Sequence, residues 1–504
     1  MGFSAPAKRG TANDRDDMRR LGKQQLFKRN YNFVSTLGFA LILMGTWEAI
    51  LSTIAFALSN GGPSGLIYTM IASFIGFTLI VVSMAEMASI APTAGGQYHW
   101  VSEFAPKRYQ KLLSYTIGWL SVLGYQTGAT IGAFVSGTMI QGLVILNDPT
   151  YVPEHWHGTL IAIGITIFVA AFNIVFAEQL PLVQTLILIL HVAGFFAILI
   201  PLWVLAPKTP SNEVWSSFVD GGPWGSIGLA CLIGMLTNAG AFVGGDSVAH
   251  ISEETRNASR IIPQAMVLTV VINGVMGLVM VITFCYTMGN LEDALMSPTG
   301  YPIIHVFWVA TGSNGGAIGL TFILIILGVA GNLTVMAGAS RQLFAFARDK
   351  GVPFSTWIQK VPPGWDVPIN AILLTGIISC IIHCINIGSS IAFNIIMSMG
   401  TVALVTSYIV SIGSILSRRL RKAPLLPGHF SLGKMGIPVN VVSIAFLAIF
   451  WVMAFFPQVP NPAPVDMNWS IVVYGGVLTF ASIYYFFRAR HRYDGPVAYV
   501  KKEV

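Results

Sequence analysis

Charge is what this 504-residue sequence has least of. Asp, Glu, Lys and Arg make up 10% of it, against roughly 25% in soluble domains, which argues against an ordinary water-soluble protein. Cysteine is also sparse. The four present, Cys231, Cys285, Cys380 and Cys384, all fall inside apolar runs and leave no outward disulfide framework. The nine histidines are scattered, with no HxxH, HExxH or GxSxG spacing to hold a metal or activate a nucleophile, so no enzyme is expected. Cys380, His383 and Cys384 share one helix, where small core residues are the preferred reading over a metal site. The first 30 residues lack the apolar core of a cleavable leader and read as a mobile polar tail.

Long apolar runs are what the chain has instead. Twelve reach the ~20 residues that a bilayer core requires, at about 34–59, 65–90, 112–146, 158–177, 181–206, 225–250, 264–289, 315–338, 368–386, 389–415, 438–458 and 469–487. Basic residues segregate sharply between the connections. All but one of the 28 Lys and Arg lie in the N-terminal tail, 91–112, 251–264, 339–367, 416–437 and the C-terminal tail; the exception is Lys208. The positive-inside rule then makes both termini cytoplasmic and the number of crossings even. The net charge of +7 is thus a topology signal. It implies a lipid bilayer as partner and argues against nucleic acid. The sequence predicts an all-α polytopic membrane protein with twelve transmembrane helices.

Between Asn32 and Glu86 the chain carries one charge, Glu48, inside "LILMGTWEAILS". A carboxylate at that depth costs roughly 2.5–3.5 kcal/mol, so it needs a reason. The sixth run offers a counterpart, "LTNAGAFVGGDSVAH", where Gly240, Gly244 and Gly245 precede Asp246. Each stretch couples helix-weakening glycine to a buried acid. The two runs stand five apart, and five is odd, so a second copy would enter the membrane from the opposite side. Inverted repeats of this kind place a solute site where paired helices unwind near the midplane. Unwound backbone is tolerable there only around a protein-enclosed cavity. A half-helix N-terminus suits an anionic group, and freed carbonyls suit an ammonium or a metal cation. A zwitterionic amino acid matches both.

Four further stretches carry a family resemblance: "PTAGGQYHWVSEFAPKRY", "GGDSVAHISEETRNASRIIPQAM", "SRQLFAFARDKGVPFS" with "VPPGWDVPINA", and "GHFSLGKMGIPVN". Over roughly residues 30–490 the chain resembles the amino acid–polyamine–organocation superfamily, in its fungal branch of amino acid, GABA and choline permeases. That resemblance implies a five-plus-five inverted repeat (34–206 and 225–415), two additional helices (438–487), tails at 1–33 and 488–504, and transport by alternating access. It implies a plasma-membrane or vacuolar location and a small-molecule substrate, an amino acid or a GABA-like or choline-like amine. No cofactor is expected beyond a coupling ion, a proton or sodium.

The resemblance also places the first break at Met44 to Trp47, with Gly45 and Thr46 offering N–H groups to a substrate carboxylate. It places the second at about Ala239 to Gly245, with Phe242 either an aromatic gate or a lipid- or core-facing ring, and Asp246 at the pocket base. Glu48 has three readings: a cap on the new half-helix, a partner for a substrate amine beside Trp47, or a proton-exchanging residue. Asp246 divides similarly. His191, deep in the fifth run, is either a core histidine bonded to a carbonyl or a coupling residue where proton-coupled relatives place a basic one, since imidazole changes charge near neutral pH. Tyr125 and Gln126 are expected to line the pocket, and Asn332 and Thr334 to coordinate an ion or water, or to serve as polar glue. Arg341, Arg348, Asp349 and Lys350 are expected in a cytoplasmic loop, as a solvated face or as gate pairs with Glu86, Glu253 or Glu254.

Overall fold

The computed structural model describes residues 10–457, 459–464, 467–493 and 495–496. A short helix, α1 (Ala12–Arg20), opens the chain, capped by a reciprocal pair of bonds between Thr11 and Asp14. The first apolar run is broken into α2 (Phe33–Met44) and α3 (Thr46–Thr53). Asn32 caps α2, its side-chain oxygen accepting from the Ser35 N–H at 3.1 Å. Then come α4 (Gly62–Ile90), the short α5 (Gln97–Phe104), the 41-residue α6 (Lys107–Asn147), α7 (His155–Val175) and α8 (Leu180–Leu205). Beyond α9 (Ile227–Gly240) lie α10 (Ala258–Thr287), α11 (Asn314–Arg348), α12 (Ile369–Gly388), α13 (Ser390–Leu420), α14 (Gly436–Met453) and α15 (Ser470–Phe487). The fold is an all-α polytopic bundle. Among the described residues, eleven helical segments are long and apolar enough to cross a membrane.

The expected run 225–250 is not a long helix. It holds the 14-residue α9, a turn through Gly244 and Asp246, and a 3₁₀ segment at Ser247–Ile251. Large apolar side chains on α7, α8 and α15, such as Phe168, Leu186 and Phe480, stay exposed and suit a lipid surround. The interior pairs α4 with α10, α6 with α11, and α7 with α12.

Two expectations fail. Residues 10–32 are no mobile tail but are docked across one end of the bundle. The buried Arg29 guanidinium lies 3.2 Å from the buried Asp14 carboxylate and donates to the carbonyls of Ser252 and Thr255. Lys23 pairs with Asp349, and Phe27 meets Phe344 edge-on, ring centroids 5.0 Å apart. A polar, charge-rich segment orders here because its charges find buried partners. The second correction concerns 339–348, which continues α11 as helix. Arg341 on it is held by Glu254 at 2.8 Å, so the helix outruns its apolar core to satisfy a buried acid.

Candidate functional site

Both breaks turn on glycine. Gly45 adopts φ +42, ψ +46, the left-handed region that side chains disfavour. A Cβ there would also sit 3.2 Å from the Ile42 carbonyl oxygen. The chain leaves α2 and starts α3 at once, so the N–H groups of Thr46, Trp47 and Glu48 begin a new helix without acceptors inside it. In the second break Gly244 adopts φ +104 and its N–H donates to the Tyr408 hydroxyl at 3.1 Å. The two breaks are tied together: the Thr46 hydroxyl donates to the Ala241 carbonyl at 3.1 Å.

Glu48 lies in the first turn of α3, where its negative charge answers the positive end of the helix dipole. Its Oε1 lies 2.5 Å from His191 Nδ1, and the carboxylate accepts. Oε2 is buried and has no hydrogen-bond partner among the described residues. Behind the pair, Trp47 is fully buried against His191 and Phe195, with ring centroids 5.7 and 6.0 Å apart.

A cavity of about 240 Å³ joins the two breaks. Met44, Gly45 and Glu48 line it from the first break, Gly240 and Gly244 from the second, with Tyr125 from α6 and Asn332 from α11. Its further walls come from the halves of these helices that lie away from the docked N-terminal segment, including Ser52, Met139 and Leu324.

Below the cavity, Asp246 is wholly buried and gathers four side chains. Tyr125 donates its hydroxyl to Oδ2 at 2.6 Å; Tyr408 and Gln97 also donate to the carboxylate; His250 Nε2 lies at 3.5 Å. These come from α6, α13, α5 and the 3₁₀ segment, so one acid closes the floor.

Several expected site residues are placed elsewhere. Phe242 is stacked on Phe74 and Phe77, with centroids 6.1 and 5.7 Å away, inside the core rather than over the cavity. Gln126 donates to the Thr375 hydroxyl at 3.1 Å, and Gln184 donates to the Thr334 hydroxyl at 3.0 Å, both between helices. Gly245 is pressed against Val81, where a Cβ would approach to 2.6 Å. Thr46, Trp47, Asp246 and His191 surround the cavity without lining it. The partners Gln97 and Tyr408 went unnoticed in the sequence. Gln97 belongs to the quoted "GGQYHW" stretch, whereas nothing around Tyr408 distinguishes it.

The expected ion pairs cluster at the end occupied by residues 10–32. Arg348 meets Glu253 through two bonds of 2.7 and 2.8 Å, and Arg341 meets Glu254. Glu86 pairs with Arg419 at 2.5 Å instead of the expected partners, and Asp349 pairs with Lys23. Lys350 is exposed in a left-handed turn. Burial alone would raise the Glu253 pKa, but Arg348 and Lys23 outweigh it and hold the carboxyl below its usual range.

A family model described as amino acid permease matches residues 31–477. A Macrophomina phaseolina protein named for amino acid/polyamine transport is 31% identical, covering 86% of this chain and 96% of its own. Amino-acid permease 2 of Neurospora crassa is 27% identical over 98% of this chain and 91% of its own. A choline transporter of Saccharomyces cerevisiae is 26% identical over 92% of this chain and 82% of its own.

Proposed function

Since the chain belongs to the amino acid permease family, we propose that it carries a small amine or amino acid across a membrane by alternating access, driven by protons. The observation that carries this reading is Glu48, a residue of the cavity wall: one carboxylate oxygen rests on His191, and the other is buried without a partner among the described residues. That unmatched oxygen is an acceptor for a substrate ammonium. The first N–H groups of α3 supply the opposite pole for a carboxylate. A proton on His191 compensates Glu48, so a bound zwitterion and the protonated pair leave the site without net charge. A neutral site can be buried during reorientation, and a charged one resists it. That balance couples proton and cargo.

The packing of α4 on α10, α6 on α11 and α7 on α12 supports the inverted repeat, since each pair joins members five crossings apart when α9 serves as the sixth. The segregation of positive charge supports a cytoplasmic position for the docked N-terminal end. The cavity then faces outward, and delivery requires the Asp246 floor and the four ion pairs beneath it to open.

The choline-type reading lacks support in the aromatic lining. Quaternary ammonium groups are held by aromatic cages, but Trp47 and Phe242 are packed into the core, and Tyr125 is committed to Asp246. The test is uptake by purified protein in sealed vesicles, with amino acids, primary amines and choline offered under separate pH and sodium gradients. Proton-driven uptake of an amine or amino acid is expected. Glu48→Gln and His191→Gln should each cut it at least ~100-fold, the lower range for a positioned proton-transfer group. Failure to take up any such solute under any gradient sinks the reading, and uptake driven by sodium alone sinks its coupling.

A further inference from the structure

Asn332 stands midway along α11 on the cavity wall, at 1% exposure. Neither its amide oxygen nor its amide nitrogen has a hydrogen-bond partner among the described residues. A buried amide with both ends unmatched is unusual in a native protein and costly to keep. Its neighbours do not share the problem. Thr334, two residues on, donates to the Ala330 carbonyl. Ser52, Thr53, Thr127 and Thr401, which also line the cavity, donate their hydroxyl protons to carbonyls of their own helices. Gly132 lets Asn332 lie against α6: a Cβ there would be 3.0 Å from Asn332 Cβ and 3.3 Å from its Oδ1. Among the described residues that line this cavity, Glu48 is the second with a buried, unmatched polar atom, its Oε2.

We infer that Asn332 is a specificity-determining residue, whose amide binds a second polar group on a cargo whose ammonium is held by Glu48. An amide donates and accepts, so it can take a carboxylate, a carboxamide or a hydroxyl. The cargo class is therefore a bifunctional amine, one nitrogen bearing protons and one further hydrogen-bonding group, and not an alkylamine with a bare hydrocarbon tail. Asn332 acts on recognition, and the Glu48–His191 pair on coupling. This inference rests on the transport reading above.

The experiment uses the full chain in vesicles and whichever labelled solute of the uptake panel the wild type carries. Matched competitors sharing an amine are compared: 4-aminobutanoate and 4-aminobutanamide against 1-aminobutane, and alanine against ethylamine. For the wild type, the polar-tailed member of at least one pair should compete about tenfold better, in line with one or two hydrogen bonds. Asn332→Ala should bring that pair to within about threefold, by weakening only the polar-tailed member. Asn332→Ser, which keeps a donor and an acceptor, should retain part of the preference and serves if the alanine variant does not fold. Equal competition within every pair in the wild type overturns the inference without any variant. A loss in Asn332→Ala that falls equally on both members, or on the ion dependence of uptake alone, also overturns it while leaving transport standing. If no amine or amino acid enters the wild type, the transport reading fails and takes this one with it.

Discussion

A single residue decides whether the first apolar run is one helix or two. Gly45 combines a left-handed backbone with crowding against Ile42, so Gly45→Ala is expected to cost about 1–3 kcal/mol. The loss should appear as a lower unfolding temperature in detergent, with uptake falling by more than the lost protein explains. Sequence made this glycine visible because it precedes an acid that has no place in a lipid-facing helix. His99 shows what sequence left hidden. It lies on α5, outside the membrane-spanning helices, and is fully buried. Burial, reinforced by the Lys23 ammonium, pushes its pKa down to about 3. The folded protein keeps this imidazole neutral, whereas the unfolded chain protonates it below about pH 6.5. Stability is therefore full above that pH and is lost as pH falls toward 3, by up to about 1.4 kcal/mol per pH unit. Thermal unfolding followed between about pH 6.5 and 5 should show a shallower decline for His99→Gln than for the wild type. An unchanged slope would contradict the assignment.

At the scale of elements, the most consequential departure from the sequence reading is the N-terminal segment. Low hydropathy and mixed charge argue for disorder when a segment is considered by itself. They stop arguing for it once each charge has a partner elsewhere in the chain. Asp14 receives the N–H groups of Asn257 and Ala258 as well as Arg29, and Arg20 donates to the Ile90 carbonyl at 2.5 Å. Those partners are up to 244 residues away, beyond the reach of any local pattern. Arg29→Ala leaves the Asp14 carboxylate buried without its cation, a change that costs about 3 kcal/mol. Trypsin should then cut earlier after Lys23 and Lys28, and a cleavage rate equal to that of the wild type would show the segment to be only loosely attached. The broken helices were legible for the opposite reason. Glycine clusters beside acids are local signals, and both coincide with breaks in the structure.

For the whole molecule, ion pairs cluster at the end where residues 10–32 dock, and the cavity is walled by the helix halves that lie away from it. Four ion pairs, Arg341–Glu254, Arg348–Glu253, Arg419–Glu86 and Lys23–Asp349, lie at that end, which the proposed function makes the closed one. The lowered Glu253 pKa means that its pair contributes fully above the usual glutamate range and weakens only as pH falls below it. Ordinary shifts around neutrality should leave that closure intact. Accessibility can be read with a membrane-impermeant thiol reagent on protein whose four native cysteines are replaced by serine. Ser52→Cys, on the cavity wall, is expected to react from the open side. Ala94→Cys, fully buried at the closed end, is expected to stay unreactive until Arg348→Ala is added. Reaction of Ala94→Cys in the otherwise intact protein would mean that the ion pairs do not seal that end.

The sequence by itself determined the membrane-spanning helices and the two glycine-and-acid breaks. Hydropathy and backbone freedom are properties of short stretches, and a short stretch displays them whatever surrounds it. Only the tertiary structure decided what the buried polar groups do. Glu48 became a cavity residue because His191, 143 positions away, takes one of its oxygens. Asp246 became a floor because Tyr125, Tyr408 and Gln97 converge on it, and Phe242 was removed from the cavity by stacking on Phe74 and Phe77. A buried polar atom takes its role from the partner it meets, and partners so distant are chosen by packing rather than by sequence spacing.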